Sequence, residues 1–172
     1  LGRAWLEDAV FDRSTFAGTM LMHCDFSRTA MRQAKLGGAN LLESRWGPAD
    51  WTGAQLPQML LYRFDLRGVT LAEAGLSGAT FIECQLEGAD LRGAELRHAS
   101  FLTCRMAGVR LAGAQLDSAV FVERCDLRGA DLSGAVLRSA NLGEGDWRGA
   151  RLTRAVLDQA VAVGADLSDS DM

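Results

Sequence analysis

The chain has 172 residues, the size of one domain, with 18 basic against 22 acidic side chains and a formal net charge of −4. A balance this small and mixed excludes the broad basic patch of a nucleic-acid-binding protein and the strongly acidic surface of a solvating tail. No apolar run approaches the length of about 18 residues that a membrane span needs, and no charged-then-apolar leader opens the chain, so a soluble, cytoplasmic protein is expected.

From the N-terminus a large apolar residue returns every five positions, at Leu6, Phe11, Phe16, Leu21, Phe26, Met31, Leu36 and Leu41. Five residues of α-helix advance about 500° and would scatter these side chains around the cylinder. A strand, with its period of two, would send alternate ones to opposite faces. A chain that turns a corner once per repeat gives them one shared interior. The register continues through Trp46, Trp51 and Leu56, but Met59 and Phe64 put bulk where a small residue is expected. Here the interior is expected to repack, with the "WGPADW" turn and Pro57 widening a corner. From Leu66 to Phe121 the pattern is unbroken and at its most regular in "EGADLRGAELRHASF", where an alanine stands two places before each centre. Between Phe121 and Leu127 lie five residues, "VERCD", in place of four, which marks one inserted residue, Glu123 or Arg124, at a corner. The fives then resume through Leu132, Leu137, Leu142, Trp147, Leu152, Leu157, Ala162 and Leu167, with Leu1 and Met172 also in register as centres.

The unit Ala-Asp-Leu-Arg/Ser-Gly, clearest in "GADLRGAEL" and "CDLRGADLSGAVL", resembles the pentapeptide-repeat family over essentially the whole chain. The resemblance implies an all-β fold, a right-handed quadrilateral parallel β-helix with four repeats per coil. Each repeat would point its centre and the small residue before it inward. One such domain over 1–172 would make eight to nine coils, a rod of roughly 40 Å at the strand spacing. The missing initiator methionine and the absence of a cap at either end lead to the expectation that this is a segment of a longer bacterial protein.

Residues twenty apart should then share a wall. Cys24, Cys84, Cys104 and, past the insertion, Cys125 fall in one column and are expected inside as free thiols, since neither a C-x-x-C pair nor convergent ligands accompany them. No cofactor or metal is expected. Phe81, Phe101 and Phe121 form an internal aromatic ladder, and Gly68, Gly88, Gly108, Gly129 and Gly149 stack at one corner suited to a type II turn.

Outward positions carry the functional signal. Three walls present polar residues, with carboxylates such as Asp90, Asp126, Asp131 and Asp146 interleaved with Arg110, Arg128, Arg148 and Arg151 as mixed charge ladders. His23 and His98 fall on different walls, and no catalytic constellation emerges, so enzyme activity is not expected. One wall differs: just after its centres stand Met22, Leu42, Tyr62, Ile82, Leu102 and Val122, and just before them Met20, Leu60, Val120 and Val161. Such a stripe exceeds what a monomer usually leaves open. The expected function is a noncatalytic protein-binding or scaffold module docking through Met20, Met22, Leu42, Leu60, Tyr62, Ile82, Leu102 and Val122. Its cover would be a second copy, another domain of the chain or a different protein, with no direct nucleic-acid or membrane binding. The family's quinolone-resistance branch implies an alternative, a DNA-mimicking binder of a bacterial type II topoisomerase, DNA gyrase. The arginines dispersed among the carboxylates and the lack of long projecting loops weigh against it.

Overall fold

A computed structural model describes residues 3–172; Leu1 lies outside the described residues. The backbone climbs in four-sided coils. Parallel bridges join Trp5 to Asp25, Val10 to Ala30, Thr15 to Lys35 and Met20 to Asn40, one per side and each spanning a full lap of the chain. The sides are called walls 1 to 4 in chain order, centred on Phe26, Met31, Leu36 and Leu41 and on the residues stacked with each. On wall 4 the bridges lengthen into strands β1 (Leu60–Tyr62), β2 (Thr80–Ile82), β3 (Ser100–Leu102) and β4 (Val120–Val122), paired in that order as one parallel sheet. Leu61 lies beside Phe81, Phe81 beside Phe101, and Phe101 beside Phe121.

Hydrogen bonding explains the repeat's composition. At the repeat centred on Leu91, the centre's N–H donates to Arg110 O at 2.8 Å, and Arg110 N–H donates back to Ala89 O at 3.0 Å, tying the coil to the one above. Ala94 N–H closes the corner on Leu91 O at 3.1 Å, and Gly93 N–H donates to Ala112 O at 3.0 Å. This leaves the N–H just after the centre, and a buried or half-buried donor must find a partner. The residue before the centre supplies it: Asp90 Oδ1 accepts from Arg92 N–H at 3.2 Å, as Asp131 does from Ser133 and Asn141 from Gly143. Aspartate recurs before the centre because its short side chain reaches back to its own backbone two residues on.

The corner bond, with positive φ only at the third residue, defines a type II turn. The glycine column shows it, with φ of 72° at Gly68 and 67° at Gly88. Glycine is not required, however. Arg13, Glu73, His98 and Ser139 hold the same left-handed backbone at φ of 60°, 58°, 59° and 54°. Each does so against a steric cost of about 1–2 kcal/mol that the stacked coils must offset.

Inside, Leu, Phe, Trp and Met centres and the residues two places before them are buried from Leu21 to Leu152, except Ser44, which is half-buried. Phe81, Phe101 and Phe121 stack at 4.7 and 4.8 Å with planes within 9°, the coil rise itself. Bulk disturbs the coils around Trp46, as the sequence leads one to expect. Trp46 stacks on Trp51 at 4.0 Å and meets Phe64 edge-on, and Met59 and Phe64 are buried in slots that elsewhere hold alanine or cysteine. Among the described residues no bridge joins Asn40 to Leu60 or Arg45 to Asp65, although walls 2 and 3 remain bridged, Asp50 to Thr70 and Gln55 to Gly75. The large side chains hold the coils apart on two of the four walls. Past Val122 the pairing interval lengthens by one, Arg105 to Asp126, and both Glu123 and Arg124 take positive φ, so the extra residue is absorbed at the corner.

Candidate docking face

Wall 4 differs from the others at its corner as well as in its side chains. The turn donor that closes nearly all the other corners is missing from most of this one, and four of the freed carbonyls are met by a side chain from the column that includes the cysteines. Ser44 Oγ donates to Leu21 O at 2.7 Å, and the thiols of Cys84, Cys104 and Cys125 donate to the carbonyls of Leu61, Phe81 and Phe101 at 3.2–3.4 Å. At the next coil Gly145 leaves room for the Trp147 indole, whose Nε1–H takes Leu142 O at 3.1 Å. Cys84, Cys104 and Cys125 are thus buried thiols that donate to an open corner. Their stacking, with Cys125 and Cys84 beside it and then burial, pushes the Cys104 thiol far above its usual range. Relieved of the tight turn, wall 4 straightens enough to form strands.

Every residue expected on the docking face lies on the outer surface of this sheet or its extension. Met20, Leu42, Leu60 and Tyr62 are exposed at 56%, 39%, 55% and 43%. Met22, Ile82, Leu102 and Val122 are half-buried, shielded along the ladder by their stacked neighbours. The outward residues before the centres complete it with Asn40, Thr80, Ser100 and Val120, so no charge stands on the face between Met20 and Val122. The gap left by the missing Asn40–Leu60 bridge opens a hollow of about 260 Å³ lined by Asn40, Leu42, Gln58 and Leu60.

A charged column borders the stripe where wall 4 turns toward wall 1, and the sequence reading passed over it. His23 Nδ1 lies 3.2 Å from Glu43, Arg63 Nε donates to Glu83 at 2.7 Å, and Thr103 Oγ1 donates to Glu123 at 2.9 Å. The Arg63 guanidinium also lies 4.8 Å from the centre of the Tyr62 ring. The signal was available: the residues two places after the wall 4 centres, read twenty apart, run His23, Glu43, Arg63, Glu83, Thr103 and Glu123.

The other walls carry paired charges. Arg67, Arg128 and Arg148 each fork onto the aspartate two residues before, with Nη2–Oδ2 distances of 2.7 Å. These bonds hold the carboxyls of Asp65, Asp126 and Asp146 below the usual carboxylate range. Asp90 departs from the expected open position. Arg92 and Arg110, at 2.8 and 3.0 Å, cover it until its side chain is 5% exposed. Among the described residues no group of His, Cys, Asp and Glu could hold a metal ion. No helix among them is long and apolar enough to cross a membrane.

Coils of twenty residues, four inward centres per lap and one greasy wall define a parallel β-helix solenoid. A model of the pentapeptide repeat region matches residues 74–152 and a second, of pentapeptide repeats in eight copies, matches 135–172. Between them they span more than half the chain, which belongs to the pentapeptide-repeat family. Among solved structures it is similar to HetL, a pentapeptide repeat protein involved in heterocyst differentiation regulation from the cyanobacterium Nostoc sp. strain PCC 7120. The identity is 29% and the TM-score 0.62, over 99% of this chain and 85% of that one. Trypsin-treated QnrB1, a plasmid-mediated fluoroquinolone resistance protein, is 22% identical with a TM-score of 0.56, over 98% of this chain and 82% of its own, a likeness of fold. No curated protein sequence matches the chain.

Proposed function

We propose that the chain is a noncatalytic docking rod whose binding face is the outer surface of wall 4. The observation that carries this reading is the contrast between walls. Walls 1 and 2 spend their outward positions on Asp–Arg forks, while wall 4 leaves Met20, Leu42, Leu60 and Tyr62 open with no charge between them. Burying about 400 Å² of such surface is worth on the order of 10 kcal/mol gross, most of it offset by the costs of association. That remainder suits a reversible partner. Replacing Leu42, Ile82 and Leu102 together by Glu is expected to abolish protein binding and self-association while leaving the far-ultraviolet circular dichroism unchanged. Undiminished binding by that variant overturns the reading.

The runner-up, a DNA-mimicking inhibitor of a type II topoisomerase, draws on the shared fold with QnrB1. It needs a continuous track of unpaired negative charge. The carboxylates that stack on wall 1, Asp126 and Asp146, are instead each forked by an arginine. Supercoiling by DNA gyrase, with and without a quinolone, is expected to be unaffected by micromolar protein; inhibition or protection would favour the runner-up.

A further inference from the structure

We infer that the occupant of wall 4 is a second copy of this chain, laid face to face and antiparallel about a two-fold axis that passes between Tyr62 and Ile82. This rests on the reading of wall 4 as the docking face and adds the partner, the direction and the register.

The apolar column after the centres runs from Met22 to Val122 and ends there, for the next residue in it is Gly143. Its midpoint falls between Tyr62 and Ile82. An in-plane two-fold at that point sets each residue against its mirror along the stripe: Tyr62 against Ile82 of the second copy, Leu42 against Leu102, Met22 against Val122. Leu102 of the second copy then faces the hollow lined by Asn40, Leu42 and Leu60. Isologous pairing of this kind is the common solution for a self-complementary patch.

Charge selects the register. The same operation carries the bordering column onto itself in reverse, so Arg63 meets Glu83 of the second copy, Glu43 meets Thr103 and His23 meets Glu123. Because Arg63 and Glu83 are already paired within one chain at 2.7 Å, the two copies close a four-member ring of alternating charge around the axis. Sliding the copies by one coil in one direction places Glu83 on Glu83 and Glu43 on Glu123. Sliding them the other way places Arg63 on Arg63 and Glu43 on Glu83. Like charges in facing positions penalise both slips, whereas the apolar stripe alone would tolerate them. Along the opposite border, where wall 3 meets wall 4, Gly18, Gly38, Gln58, Gly78, His98 and Ser118 would let the copies approach with one ionisable group among them.

Six coils at about 4.8 Å give a stripe about 29 Å long, and a side of four to five extended residues is about 15 Å wide. The pair therefore buries about 900 Å² in total, below the 1,200–2,000 Å² of standard stable interfaces. A weak, concentration-dependent dimer is therefore expected, visible by sedimentation equilibrium.

The test uses the whole chain and its charge-reversed variants. Wild type is expected to dimerise. Arg63→Glu and Glu83→Arg, each alone, should weaken the dimer by about tenfold or more, and the two together in one chain should restore it to within about threefold. A wild type that stays monomeric to several hundred micromolar overturns this inference and leaves wall 4 as a dock for another protein. A dimer lost in the Leu42, Ile82 and Leu102→Glu variant but indifferent to Arg63→Glu overturns the register. A dimer untouched by either change lies elsewhere and overturns the wall 4 reading along with it.

Discussion

Single residues here are chosen largely by which backbone atom lacks a partner. Gly145 is a case in which absence of a side chain has a function: a Cβ there would overlap Trp147 Nε1 and displace the indole from Leu142 O. Gly145→Ala is therefore expected to cost about 1–3 kcal/mol, the penalty of a buried donor and acceptor parted, measured by chemical denaturation. By contrast, Trp46 and Trp51 already bury indole N–H groups with no acceptor among the described residues. Asp90 gives a pH signature. Its hydrogen bonds from Arg92 hold its carboxyl below the usual range, with Arg110 adding to the effect. A carboxylate whose folded pKa is depressed contributes its stabilisation in full above the unfolded value of about 3.9 and loses it as pH falls through the folded value. Asp90→Asn should flatten that acid limb while changing neutral-pH stability by about 1–2 kcal/mol, as urea titrations between pH 2 and 7 (~ values bracketing that pKa) would show. The cysteine column was legible as a column, because twenty-residue spacing is arithmetic. That its thiols serve carbonyls was not, since an open corner leaves no mark in the pattern of fives.

A coil tolerates bulk at its centres and resists it in the small slots. Phe101 stacks between Phe81 and Phe121 in register, so Phe101→Ala should leave a cavity and cost about 3–5 kcal/mol. Phe64 occupies a slot that holds serine or cysteine in the neighbouring coils, and the coils beside it have lost two bridges. Phe64→Ala is expected to cost distinctly less, because the coils can close and recover Arg45–Asp65 pairing as the aromatic contact with Trp46 is given up. Equal losses for the two variants, compared by guanidinium denaturation, would show that Phe64 is as integral as Phe101. The distortion itself could be read from Met59 and Phe64, because volume in a known slot has a known direction. Its consequence for wall 4, the hollow beside Leu42 and Leu60, could not, because it depends on which of four walls yields. The sequence likewise suggested glycine for the tight corners, whereas Arg13 and His98 turn them too: stacking, not local preference, sets φ there.

At the scale of the molecule nearly all contacts run to the coil above or below, as in any solenoid, and four-sided symmetry makes every wall a candidate surface. What breaks that symmetry is composition. Wall 4 is apolar and bordered by a column in which Arg63 stands between Glu43 and Glu83. The pentad alone told that the chain turns a corner once per repeat, whereas the closing of four such sides into one right-handed coil came with the resemblance to the pentapeptide-repeat family. The apolar wall was legible as a set of columns, and the charged border became visible only once neighbouring columns were placed side by side.

The corner that accepts Glu123 and Arg124 in place of one residue has a further meaning. Backbone pairing resumes unchanged above it, Asp126 to Asp146 and Asp131 to Arg151, so the chain can lengthen there without any loss of alignment between storeys. Such a hinge-post is where a rod of this design can acquire a loop during evolution, or be given one by grafting. Since the post stands at the rim of the apolar side, whatever grows from it would act as a doorstop against anything closing on that side.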